Sequence, residues 1–419
     1  MLPWTVILLG TTSFAPLGFA AEVPSQDAPA APVAPVAPAA LAAAPAPPVA
    51  PVPAAPSVKW RGALWASGAE SNQQTADGSL FLRSMDAGNG QLAVDGLQLG
   101  ADVALPDGWA LKFTLLAGQD GKILNAGTVG SNGLPVETGS IAWPEAQLSW
   151  TGGAETVKIG RMYTPMGMEV MDDTQNITAS RGLLFTYAVP IAQVGVNWHH
   201  AFTPSWSADL WVYNGEDKLQ DNNTGKTGGL GVTYNHGGAT DKFVTLMAFS
   251  GPEQTSLGSG AVPGAEGRKR NRLSLAGQWT WGNSTLQFEG ESATETFPGG
   301  TAATPQGTFK ASWSGAGIIY KYQFNDFWSL FLRAETLKDD TGVRLSGDTN
   351  IAKAYPSGPN QNLQATSFAL GAERRWHATF SRLEARLDSL NKSVAEAPAA
   401  GTSSFKSAAS LTWSVGTSF

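Results

Sequence analysis

Four charged residues, Glu169, Asp172, Asp173 and Arg181, sit in a segment whose other residues are unusually apolar. The run 164–190 reads TPMGMEVMDDTQNITASRGLLFTYAVP and also carries Met166, Met168, Met171, Leu183, Leu184, Phe185 and Tyr187. Side chains this apolar need a surface to pack on. The loop, about 163–189, is therefore expected to fold inward onto the wall that carries it rather than over its rim. Its four charges would then stand at a narrowing. Charges held at a narrowing sort solutes by charge and size, and they break no bonds.

Residues for bond-making chemistry are scarce elsewhere. A hydrolase needs an activated nucleophile or water, usually with a His base. The histidines are His199, His200, His236 and His377, all at or beside expected short turns, and cysteine is absent. His199 and His200 are adjacent, so on a strand they point to opposite faces and cannot chelate one ion together. No glycine cluster with the required lysine lies between a strand and a helix to cradle phosphate. The expectation is a protein that is not an enzyme and that uses no metal and no cofactor.

Strands must position the loop. The last run, Lys406 to Phe419, reads KSAASLTWSVGTSF. Ala409, Leu411, Trp413, Val415, Thr417 and Phe419 alternate with Ala408, Ser410, Thr412, Ser414, Gly416 and Ser418. A period of two with one apolar face and one small polar face is a strand between oil and water. Ending such a strand on an aromatic residue resembles the terminal signal of bacterial outer-membrane β-barrel proteins.

The same pattern recurs from Val58 onward. Sixteen alternating segments are expected, near 58–69, 91–105, 109–120, 139–151, 155–162, 190–201, 205–214, 226–235, 240–250, 270–281, 284–295, 311–323, 327–338, 364–375, 378–389 and 406–419. Short turns such as Pro106-Asp107-Gly108 and Gly282-Asn283 alternate with long loops rich in Gly, Ser and Asn. That alternation is the rule for outer-membrane barrels, with short periplasmic turns and long external loops. The fold class expected is all-β, a transmembrane antiparallel up-and-down barrel of about sixteen strands. Near-neutral mean hydropathy fits this class, because apolar and polar residues cancel in any window. Beyond the N-terminus no apolar run is long enough for a membrane-spanning helix.

Charges fall on the non-apolar face of nearly every segment. The residues expected to line the interior include Arg61, Lys112, Lys158, Arg272, Glu289, Glu291, Arg333, Glu335, Arg382, Glu384, Arg386 and Asp388. A Lys or Arg at the bilayer midplane would cost ~2–4 kcal/mol, so that face is expected to be wet. Sixteen strands leave an aqueous channel where eight would be filled by side chains. The two signs nearly balance, and a solvated wall of mixed charge is expected rather than a specific filter. Aromatics gather at strand ends beside the short turns. Trp60, Trp109, Trp328 and Phe419 are assigned to the membrane interface.

The loop region carries a more specific likeness. Gly160-Arg161-Met162, Gly167-Met168-Glu169-Val170, Ser180-Arg181-Gly182, Tyr187, Ala188-Val189-Pro190 and Gly195-Val196 together resemble the OmpL-like family of β-barrel porins. The close match covers about forty residues, and the rest shares the pattern alone. The resemblance implies an outer-membrane barrel with passive solute passage, and it supplies no substrate.

The N-terminal part is of another kind. Residues 1–20 read as a secretory signal, with an apolar core and small residues before the cleavage point, although without a basic start. Residues 21–57 are largely Ala, Pro and Val, an extended periplasmic linker that buries nothing. The barrel is assigned to 58–419. The partners expected are outer-membrane lipid, the barrel assembly machinery acting through the C-terminal strand, and small hydrophilic solutes. Whether barrels associate as a homo-oligomer is left open. The net charge of −7 argues against nucleic acid. The location expected is the bacterial cell outer membrane. The function expected is a passive diffusion porin narrowed by the inward loop. The alternative is a structural anchor or sheath for a periplasmic partner, held through the Ala/Pro-rich segment.

Overall fold

The computed structural model describes residues 55–419 except 74, 76–77, 127–138, 255, 257–263, 299–307 and 396–403. The expected signal segment and nearly all of the linker lie outside the described residues. The first eight strands are β1 (Ser57–Ser71), β2 (Gln91–Ala104), β3 (Trp109–Ala117), β4 (Ile141–Gly152), β5 (Glu155–Tyr163), β6 (Ala192–Thr203), β7 (Trp206–Tyr213) and β8 (Thr227–Asn235). The second eight are β9 (Lys242–Pro252), β10 (Lys269–Trp281), β11 (Ser284–Pro298), β12 (Thr308–Gln323), β13 (Trp328–Asp339), β14 (Leu363–Trp376), β15 (Thr379–Ala395) and β16 (Ser404–Ser418). Each is antiparallel to the next, and β1 pairs with β16 to close the barrel.

The period of two places the side chains. Leu97, Leu99, Leu111, Phe113, Leu330, Leu370, Leu383 and Leu411 are exposed on the outer face. Such a surface is stable only against hydrocarbon. Their neighbours point inward, among them Thr114, Arg333, Glu335, Arg382 and Glu384, all buried. Trp60, Trp109, Trp206, Trp281, Phe324, Phe327, Trp328, Trp376 and Phe419 are exposed beside the short turns or the seam. This is an aromatic belt at the periplasmic headgroups. His199 lies 3.2 Å from Asp209, and His200 lies 2.6 Å from Glu155 on the other side of the wall.

The seam carries the last residue. Gly62 and Phe419 exchange both backbone hydrogen bonds, at 3.1 and 2.9 Å. The Phe419 ring lies directly over Gly62. A Cβ at that glycine would stand 2.0 Å from the ring.

Three features depart from the sequence-based expectation. The third strand stops at Ala117 and not near 120. Gly118 turns the chain with a φ of 105°, and a helix, α1 (Gln119–Ala126), follows. It lays Asp120 inside the barrel beneath Trp65, whose Nε1 donates to it at 2.9 Å. A second short helix, α2 (Thr349–Ala354), sits in the loop after β13, capped by Asp348. β12 and β15 also run further outward than expected, where the ladder continues past the end of the apolar band.

Candidate functional site: a loop across the lumen

The β5–β6 connection, 164–191, leaves the wall at β5 and reaches β13, β14 and β15. On a ring of sixteen, β13 lies eight positions from β5, which is diametrically opposite. The loop therefore spans the lumen. Met166, Met171 and Phe185 pack in one cluster with Trp65, Leu116, Tyr213 and Phe249. Leu183, Leu184 and Tyr187 pack in another with Phe81, Leu337, Leu345 and Ile351.

The far wall grips the loop through its main chain. Arg382 donates to the carbonyl oxygens of Asp173 (2.9 Å) and Thr178 (3.1 Å). Arg386 donates to that of Arg181 (2.6 Å) and to Ser180 Oγ (3.0 Å). Glu384 accepts from the Ala179 N–H at 2.9 Å and from the Ser180 hydroxyl. Glu335 accepts from the N–H groups of Leu183 (3.0 Å) and Leu184 (3.2 Å). Glu289 accepts from Met168 N–H at 2.8 Å. Arg272 donates to the Ala188 carbonyl and pairs with Glu291 at 3.3 Å. Asp388 pairs with Arg386 at 2.8 Å. A folded-in loop carries backbone groups that no ladder satisfies, and these side chains satisfy them.

The four charges expected at the narrowing are buried within this frame. Glu169 accepts from Arg333 at 2.8 Å and from Gly182 N–H at 2.7 Å. Arg181 makes a two-pronged pair with Asp120, at 3.0 and 2.7 Å, and meets Asp173 at 3.1 Å. Asp172 accepts from Gln175 at 2.9 Å and from Gln98 on the β2 wall at 3.3 Å. Burial pushes the Asp120 carboxyl above its ordinary range, while Arg181 and Trp65 draw it down. Burial disfavours the Arg181 charge, but Asp120 and Asp173 outweigh it and hold the guanidinium above its ordinary range.

The inner wall is thus not uniformly wet, which corrects the expectation of a solvated wall. It is packed wherever the loop and its neighbours reach, and on the β13–β15 side that extends to the short-turn end, where Arg375 donates to the Thr174 carbonyl at 3.5 Å. Arg272, Glu291, Arg333, Glu335, Arg382, Glu384, Arg386 and Asp388 are buried against them. Arg61, Lys112 and Lys158 lie below the loop and face open space. Arg61 pairs with Asp102 at 2.7 Å and Lys112 with Glu145 at 2.9 Å. The Lys112 side chain keeps 41 % of its surface and Arg61 keeps 24 %. Lys112 and Lys158 line a vestibule of 500 Å³ at the short-turn end. Arg61, Lys112, Tyr163 and Asp172 line a cavity of 180 Å³ against the underside of the loop. Trp60, Trp109, Trp328 and Phe419 stand in the outer aromatic belt.

Sequence reasoning missed Trp65 and Glu216, and it set Asp120 and Gln98 on polar strand faces without a role in holding the loop. Asp120 and Glu216 lie in other loops that fold inward, and Glu216 binds Arg272 at 2.8 Å. An acidic residue beside a strand end opposite a buried arginine is a signal only after the loop's path is known.

Gly182 fits this frame for want of a side chain. A Cβ there would stand 2.3 Å from Glu335 Oε1, the carboxylate that holds Leu183 and Leu184. Gly182→Val is expected to free this part of the loop, and trypsin after Arg181 reads the effect. Cleavage should be about tenfold faster or more, the change that ~1.4 kcal/mol of local opening gives. Equal resistance in folded barrels would show that the Glu335 contact does not hold the loop.

Comparison with known proteins places this geometry. A family model described as "Putative beta-barrel porin-2, OmpL-like" matches residues 57–419. No curated protein matches the sequence. Solved structures share the fold at low identity. OmpT of Vibrio cholerae, in vitro folded and in a trimer form, is similar at 11 % identity and a TM-score of 0.54, over 87 % of this chain and 100 % of that one. The outer membrane channel DcaP of Acinetobacter baumannii is similar at 9 % identity and 0.54, over 87 % and 97 %. Salmonella typhi OmpF in complex with daunomycin is similar at 10 % identity and 0.53, over 86 % and 97 %.

Proposed function

The chain belongs to the OmpL-like family of β-barrel porins, and from that membership we propose that it is a diffusion channel for small hydrophilic solutes, narrowed by the loop 164–191. It is a bacterial outer-membrane protein of porin fold. The observation that carries the proposal is the loop's crossing of the lumen to β13–β15. A solute would leave the vestibule at Lys112 and Lys158 and pass the cavity at Arg61, Tyr163 and Asp172. Glu169, Asp173 and Arg181 would set the shape of the passage by fixing the loop, and Asp172 would face it. In this reading the protein is a channel and not an enzyme. Self-association of barrels belongs to the same proposal, since one similar structure is a trimer form.

Planar-bilayer recording tests it. Refolded protein should give stepwise ion conductance, and heating should convert a compact gel form into a slower one. Correctly heat-shifting barrels that give no conductance would overturn the channel reading. The loop packed across the lumen favours the second reading, a barrel that anchors a periplasmic partner through its Ala/Pro-rich segment. That second reading would then stand.

A further inference from the structure

We propose that the outer face around Arg374 binds the phosphate of a periplasmic-leaflet glycerophospholipid, with one acyl chain lying in the dip over Ala372. Arg374 belongs to β14 and points away from the lumen. Its register partner Trp328 and its next same-face neighbours, Ala372 and Leu370, lie on the lipid side, where Trp328 and Leu370 are exposed. Glu373, one residue away, points inward and is engaged by Lys321, Arg375 and Arg382. Among the described residues Arg374 has no carboxylate partner. Its guanidinium lies 5.7 Å from the Trp328 ring and 5.7 Å from the Trp376 ring.

That arrangement leaves an unmet need. Indole faces attract the cation but do not use its N–H groups. A guanidinium on the lipid side is tolerable only near the headgroups, where an anion can take those donors. Arg374 is two residues from the short turn after Trp376, at the height of the aromatic belt. Phosphate oxygens lie at that height, and the fork of a guanidinium matches them.

The neighbours complete the site. Across the ladder Arg374 stands opposite Ser381 of β15. Trp413 Nε1 donates to Ser381 Oγ at 3.0 Å, which leaves the hydroxyl proton free for a phosphate oxygen. Toward the membrane centre, Ala372 stands between Leu330 of β13 and Leu383 of β15 in the register. Both leucines are exposed. A methyl between two leucines leaves a dip beside Arg374, bounded above by Leu370, in which an acyl chain would lie. A free phosphate would use the guanidinium but not the dip, so the occupant assigned is the lipid.

Native mass spectrometry of the full chain in non-ionic detergent tests this. The probes are phosphatidylglycerol, phosphatidylethanolamine and a diacylglycerol with the same acyl chains. The wild type should retain both phospholipids and not the diacylglycerol. Arg374→Gln should lower retention by about tenfold, the scale of losing charge-assisted hydrogen bonds to phosphate. Ala372→Trp keeps the guanidinium but fills the dip, and it should lower retention as well. Heat-shift gels verify that each variant is folded. Three results would each overturn the proposal: unchanged retention by folded Arg374→Gln, equal retention of the diacylglycerol, or displacement of the lipid by millimolar inorganic phosphate.

Discussion

Deleting residues 164–187 is expected to raise the single-channel conductance about threefold or more, because the obstacle to flow is the loop and not the sixteen-strand hoop. The hoop does not need the loop. Its ladder is continuous through β5 and β6, from Glu155↔His200 to Tyr163↔Ala192. What the loop supplies is a filling, bonded to the far wall by Arg333, Arg382, Arg386, Glu335 and Glu384. Stripping one partner from a buried ion pair is ordinarily severe, about 3–5 kcal/mol, because the other charge stays buried. Here water would enter with the deletion and solvate both signs. The barrel should therefore survive with a wider bore. An unchanged conductance would show that this loop does not constrict the pore.

The second large effect is on assembly. Removing Phe419 should sharply reduce the amount of barrel reaching the outer membrane. The loss of folded stability alone is modest. Two backbone hydrogen bonds to Gly62 are worth about 1 kcal/mol each, and the residue remains 81 % exposed. Such a loss does not unfold a closed sixteen-strand barrel. A strong defect in cells beside near-normal refolding in detergent would place the effect on recognition of the C-terminal strand by the assembly machinery. Gly62→Val gives the comparison, since it displaces the ring yet keeps the terminal residue. Normal assembly without Phe419 would show that it is not the signal.

The barrel is legible in the sequence because a membrane wall has two solvents. Leu97 and Leu99 must meet oil while Gln98 must not, and that constraint prints a period of two over each strand. Strand ends were less legible. Nothing in the alternation of 109–117 announces that Gly118 ends it and that Asp120 faces inward from a helix rather than from the strand. The inward loop was legible through its own apolar residues, Met166, Met171, Leu183 and Phe185. Its fastening was not. Arg382 and Arg386 read as charges on a wet face, and only the path of the loop shows that they hold carbonyl oxygens of Asp173, Thr178 and Arg181. A lumen charge facing water and one facing a folded-in backbone have the same sequence signature.

The central claim is a lumen that keeps open space against β1–β5 at the short-turn end, with the loop packed from there across to β13–β15. Polymer-exclusion sizing of single oriented channels tests it most directly. Neutral polymers of increasing size, added to one side at a time, should enter from the short-turn side at sizes still excluded from the long-loop side. An identical cut-off from both sides would contradict the account.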